Sequence, residues 1–210
     1  MSQTNRVEKL TLGMLTLIYV VIFTCWSVYR LTAHNSELFD ELVAKPLIWL
    51  LPLLFLKVSL RSLQFKRPTF FIITVSLVSG IVLALFQIVP QIIKWPRQAH
   101  VPPDFLWLIL ATGATAITEE VLFRGFFLQQ LRARLSMETA VLINSLAFAL
   151  FHVPVFLFVN RVSLGDMPVV LGAVAASGIV FSLLFVYTKT ISSSIIAHLV
   201  QNILLLMFTP

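Results

Sequence analysis

The stretch TEEVLFRG (Thr118–Gly125) sets two adjacent carboxylates and a guanidinium inside an apolar run, 104–131, long enough to cross a bilayer. In a soluble helix these charges would be solvated surface. In a membrane span each costs at least about 2.5–3.5 kcal/mol near mid-bilayer. Such charges persist where they face a protein interior, pair with one another, or carry out chemistry.

Composition favours the membrane. Of 210 residues, 59% are hydrophobic and 11% charged, with a mean hydropathy of +0.96. Soluble domains have about 45–50% apolar and about 25% charged residues. An all-α polytopic transmembrane bundle is therefore expected. No polar stretch is long enough to fold outside the bilayer, so 1–210 reads as a single integral-membrane domain. The lone cysteine, Cys25, allows no intrachain disulfide. The formal charge of +6 is spread over short loops between apolar runs, which suits lipid head groups and argues against a nucleic-acid partner. The first apolar run follows Arg6 and Lys9 and lacks a small-residue cleavage site, so it reads as a retained signal anchor.

Seven apolar stretches are expected as spans, at 10–29, 46–60, 69–93, 104–131, 137–158, 167–188 and 190–209. The second is short for a bilayer of about 30 Å. Asp104, Ser136 and Asp166 stand at helix starts, and Ser192-Ser193-Ser194 reads as the capped start of the last span. Assigning alternate loops to opposite sides puts nine Lys and Arg residues on one side, including the basic loop Lys57–Pro68. Five fall on the other, among them Arg30 and Lys45, accompanied by Glu37, Asp40 and Glu41. The positive-inside rule then places the N-terminus in the cytoplasm.

Few strongly polar side chains remain within the spans. They are Glu119, Glu120 and Arg124 in the fourth, Asn144 and His152 in the fifth, and His198, Gln201 and Asn202 in the seventh. Glu120 and Arg124 are four residues apart and share a helix face, as do His198 and Asn202. Counted from the cytoplasmic helix ends, Glu119, His152, His198 and Asn202 lie in one layer, about 13–21 Å deep at 1.5 Å per residue.

Taken singly, each has a structural reading. Glu120–Arg124 alone reads as a clasp, Asn144 as helix glue, and His152 as either a bond to a neighbouring helix or a chemical group. Pro154 kinks or ends the fifth helix just after His152. Two acids, an Arg, two His and an Asn at one depth point instead to a site. Glutamate and histidine together can activate water by general base catalysis and return the proton to a leaving amine. Glu120 paired with Arg124 leaves Glu119 as the carboxylate free to exchange a proton. His198 and Asn202 can donate to a developing oxyanion. No GxSxG or HExxH occurs, yet Glu119, His152 and His198 form a set able to hold Zn2+ or another divalent ion.

These residues fall into three motifs. Glu119–Arg124 fits EExxxR, Phe148–His152 fits FxxxH, and His198–Asn202 fits HxxxN. In this order, on separate spans, they resemble the CAAX protease and bacteriocin-processing family of intramembrane proteases, to which the type II CAAX prenyl endopeptidase belongs. The resemblance covers about residues 104–205. It implies a helical membrane fold and peptide-bond hydrolysis, with Glu119 and His152 activating water, His198 and Asn202 stabilising the oxyanion, and Glu120 and Arg124 organising the site. A metal-free glutamate mechanism is the implied chemistry. The compact chain is expected to be a bacterial plasma-membrane member, whose substrate is a membrane-associated peptide, prenylated or not. A non-catalytic scaffold or bacteriocin self-immunity protein, and a proton-coupled transporter, are the competing readings.

Overall fold

The computed structural model describes residues 10–33, 35–56, 63–94, 101 and 104–208. Among the described residues all regular structure is helical. Helix α1 is Leu12–Thr32. Helix α2 covers 37–55, as a turn Glu37–Phe39, a π segment Asp40–Ala44 and an α segment Lys45–Phe55. Helix α3 is Phe70–Lys94. Helix α4 is Phe105–Glu120, continued by a π segment Val121–Leu128 and by Gln129–Arg132. Helix α5 is Met137–Leu150, followed by a π segment Val155–Val159, and α6 and α7 are Met167–Thr188 and Ile191–Leu206.

Five of these are long and apolar enough to cross a membrane: Leu12–Thr32, Phe70–Val89, Phe105–Arg132, Met137–Val159 and Met167–Thr188. Phe70, Phe71, Ile93, Leu106 and Val169 are 70–85% exposed, a lipid-facing outer surface that water would not tolerate. The chain is a multi-pass membrane protein. Helix α7 has 16 residues and is correspondingly shorter, about 24 Å.

The second expected span is corrected. Its helix begins at Glu37 rather than at 46, while 57–60 lie outside the described residues, as do Arg6, Lys9, Lys57 and Arg61. The acidic segment expected as a loop is helical because its charges are paired. Ser36 caps it by accepting from the Phe39 amide. Asp40 accepts from the Tyr29 hydroxyl and the Arg30 guanidinium at the end of α1, and Lys45 pairs with Glu41 one turn away. Asp40 and Lys45 are each only 5% exposed. Arg30 and Lys45 are thus interior residues, which leaves three basic residues on that side against nine and keeps the direction of the bias.

The last helix is also capped differently. Lys189 adopts a left-handed conformation (φ 54°) that ends α6, and Thr190 is the extended N-cap, accepting from the Ser192 amide. The serines instead occupy the first turn, where Ser193 and Ser194 hydroxyls bond backbone carbonyls behind them. Asp104 and Asp166 stand at their N-cap positions without a capping bond, whereas Ser136 accepts from Thr139.

The interior is aromatic around α4. Trp26 of α1, Trp49 of α2, Phe123 of α4 and Phe148 and Phe151 of α5 meet edge to face, with Trp49 and Phe151 centroids 4.9 Å apart. Every residue from Thr118 to Leu128 is buried. Two glycines let neighbouring helices close in. A Cβ on Gly80 of α3 would stand 2.5 Å from the Ala197 carbonyl oxygen of α7, and one on Gly178 of α6 would stand 3.1 Å from Ser145 Cβ of α5. Asn144 donates to Ser182 and ties α5 to α6, the helix-joining part expected of it.

Gly80→Ala should lower thermal stability in detergent by about 1–3 kcal/mol, because backbone rather than a flexible side chain blocks the new methyl. Gly113→Ala, at a helical glycine with open space around it, should be neutral or stabilising by up to about 1 kcal/mol. Equal effects of the two would contradict the α3–α7 approach.

Candidate active site

Glu119 and Glu120 are the last two residues of α4 before its π segment. Successive helical residues point about 100° apart, so the two carboxylates face different neighbours. The widened π turns that follow are a feature found often at functional sites. They carry Arg124 and Gly125, and a Cβ on Gly125 would press to 2.9 Å from Leu63.

Glu120 faces inward to Arg124, and both are fully buried. Arg124 Nη1 donates to Glu120 Oε1 at 2.9 Å and Nη2 to the Gly178 carbonyl of α6, also at 2.9 Å. The guanidinium lies 4.5 Å from the Phe148 ring centroid and 5.3 Å from that of Phe181. Glu120 Oε1 also accepts from His198 Nδ1 of α7 at 3.0 Å, and the His198 ring stacks on Phe181. One carboxylate oxygen thus orients both the guanidinium and an imidazole.

Glu119 faces the other way. Its Oε1 accepts from Lys45 Nζ of α2 at 3.0 Å. Its Oε2 has no hydrogen-bond partner among the described residues, and two imidazole Nε2 atoms, of His152 and His198, each stand 3.8 Å from it. His152 is aimed by the end of α5. Its amide bonds the Ala149 carbonyl in a tight turn, leaving the Phe148 carbonyl to Nδ1 at 2.9 Å. The helix ends at Leu150, four residues before Pro154, which lacks the amide to continue it. Because a carbonyl only accepts, His152 Nδ1 carries a proton, and Nε2 is the nitrogen turned towards Glu119. His198 Nδ1, facing a carboxylate, likewise donates.

Three helices thus bring Glu119, Glu120, Arg124, His152 and His198 together, as the shared depth anticipates. Asn202, one turn beyond His198, is half-buried, and its side chain has no hydrogen-bond partner among the described residues. The His152 side chain is 23% exposed against 3% for Glu119, so the cluster opens at His152. Two grooves lie elsewhere. One of about 550 Å3 runs between α3 and α6, and one of about 320 Å3 between α1, α4 and α5, and neither is lined by these residues.

Lys45 and Glu41, counted from sequence as loop charges, and Thr115 join the site only in the folded chain. Glu41 bonds both Lys45 and the Thr115 hydroxyl of α4, and Lys45 lies 5.6 and 5.4 Å from the Trp26 and Trp49 ring centroids. The legible signal was Glu41–Lys45 at helical spacing, directly before the apolar run PLIWLLPLLF (46–55). Three carboxylates, Glu41, Glu119 and Glu120, surround two fixed cations, Lys45 and Arg124, leaving one negative charge for the imidazoles to balance.

The residues expected as metal ligands face one another, with the His152 and His198 Nε2 atoms each 3.8 Å from Glu119 Oε2. Among the described residues, no three His, Cys, Asp or Glu side chains form a metal-holding group. The Lys45 ammonium already supplies Glu119 with the positive charge that a divalent ion would bring.

Comparison with known proteins agrees with the motifs. Residues 101–204 match the family model described as type II CAAX prenyl endopeptidase Rce1-like. No curated protein and no solved structure gives a match.

Arg124→Ala strands the buried Glu120 carboxylate and should cost about 3–5 kcal/mol, read as a fall in accumulated protein and in thermal stability in detergent. Wild-type abundance and stability would contradict the pairing.

Proposed function

Since the chain belongs to the type II CAAX prenyl endopeptidase Rce1-like family of membrane proteases, we propose that it is an intramembrane endopeptidase in which Glu119 and His152 activate the attacking water. The observation that carries the reading is the convergence of two imidazole Nε2 atoms on the unpartnered Glu119 Oε2.

In this mechanism a water donates one hydrogen to Glu119 Oε2 and the other to His152 Nε2, both of which are acceptors there. Its oxygen attacks the scissile carbonyl carbon as a proton passes to the Glu119–His152 pair. The carbonyl oxygen becomes an oxyanion and receives hydrogen bonds from His198 Nε2 and the Asn202 amide. Because His198 Nδ1 already donates to Glu120, Nε2 donates only in the imidazolium, whose charge balances the one left over in the cluster. The carbon–nitrogen bond then breaks. The proton returns to the departing amine, leaving a new carboxyl terminus and a new amino terminus. Glu120 and Arg124 stay paired throughout and fix His198.

The opening beside His152 is where an extended peptide would enter. A site deep among spans selects substrates already held at the membrane, and a lipid chain on the peptide does this by burying its methylenes. A prenylated peptide ending in Cys-aliphatic-aliphatic-X is the proposed first substrate. The protein is placed in the cell membrane with its N-terminus in the cytoplasm, and no metal takes part.

Purified protein in liposomes should cleave an internally quenched farnesylated CAAX peptide. Glu119→Gln, which keeps the shape and removes the base, should reduce the rate by at least about 10²-fold. Dialysis against a chelator should leave the wild-type rate unchanged. Cleavage retained by Glu119→Gln would defeat the mechanism and favour a scaffold or immunity role, and loss on chelation would defeat its metal-free form.

A further inference from the structure

The family match begins at residue 101, well after α2, yet α2 supplies the nearest cation to the proposed base. Lys45 is 5% exposed, which is costly for an ammonium unless its hydrogens and charge are satisfied. Here they are. Glu41 takes one hydrogen from within α2, Glu119 Oε1 takes another across the helix interface, and the faces of Trp26 and Trp49 stand beside the charge. Thr115, one turn before Glu119 on α4, donates to Glu41 and so ties the Glu41–Lys45 unit to the same helix.

Resting on the endopeptidase reading above, we propose that Lys45 is a positioning residue for Glu119. By holding Oε1 it turns Oε2 towards His152 and His198, and it offsets the charge of a carboxylate buried next to that of Glu120. A carboxyl group has two equivalent oxygens and a freely turning terminal torsion. With Oε1 released, Glu119 loses its fixed direction, and a proton becomes the cation most readily available to it. The charged and titratable groups around Glu119 are then Glu41 from α2, His152 just beyond α5 and His198 from α7, with the Glu120–Arg124 pair behind it on its own helix. Both imidazoles stand on the Oε2 side, and no other cation is bonded to Oε1 among the described residues. A purely structural clasp between α2 and α4 would affect stability and leave the rate profile alone.

The test measures the farnesylated-peptide reaction of full-length protein in liposomes as a function of pH. Lys45→Met, close in volume and uncharged, should lower kcat about 100-fold at neutral pH, the scale of a misplaced reacting group, with little change in KM. The acidic limb of its rate profile should move to higher pH. Lys45→Arg should restore most of kcat and return the limb towards the wild-type position. If Lys45→Met fails to accumulate, Lys45→Met combined with Glu41→Gln removes the stranded charge and takes its place with the same outcomes. Wild-type kcat and an unmoved acidic limb in the folded neutral variant would overturn the role of Lys45, while Glu119→Gln remained inactive. Cleavage by Glu119→Gln, or no cleavage by wild type, would overturn the reading on which it rests.

Discussion

Two carboxylates side by side on a buried turn repel one another and lose their water together, and the surroundings of Glu119 and Glu120 follow from how that is offset. The two point in different directions because they are neighbours on a helix, so each can be given its own cation. Arg124 serves Glu120 from the same helix, one turn on. Lys45 serves Glu119 from α2, 74 residues away in sequence. The Gly178 carbonyl of α6 accepts from the second guanidinium nitrogen, and aromatic rings stand against both cations.

The same pairing makes the two acids unlike. Glu120 Oε1 is shared by a guanidinium and an imidazole in a fully buried setting, an arrangement suited to holding geometry. Glu119 has one oxygen held and the other turned to two imidazole nitrogens near the partly exposed His152. A proton can be exchanged at the second carboxylate without dismantling the first. Each imidazole has its Nδ1 tied to an acceptor, so the nitrogen facing Glu119 is in both cases Nε2. The orientation of the rings is therefore set by groups behind them, the end of α5 for His152 and Glu120 for His198.

Much of this was legible from residues alone. The apolar runs at 69–93, 104–131 and 167–188 match helices to within a residue or two, and 137–158 is helical with a break after Leu150, because sustained apolar sequence has few other solutions in a bilayer. The motif residues on α4, α5 and α7 could be matched by depth, since helical rise converts sequence position directly into distance. Three things were not legible. Lys45 beside Glu41 reads as a loop in a charge count, and only the folded chain shows that both face α4. The π segment at Val121–Leu128 has no sequence signature of its own, since VLFRGFFL would serve equally in an α-helix. Thr190 rather than the serine triplet caps α7 because the left-handed turn at Lys189 places it at the reversal, where it also bonds Lys66.

The central claim is that Glu119 does chemistry and is not merely accommodated. Its most direct test in cells is to map the termini of membrane proteins and peptides from cells expressing wild type or Glu119→Gln at matched protein levels. The account expects a set of new carboxyl and amino termini present with wild type and missing with the variant. Identical termini in the two, with the biological activity of the protein preserved in Glu119→Gln, would contradict it and leave the buried cluster as a device for holding helices together.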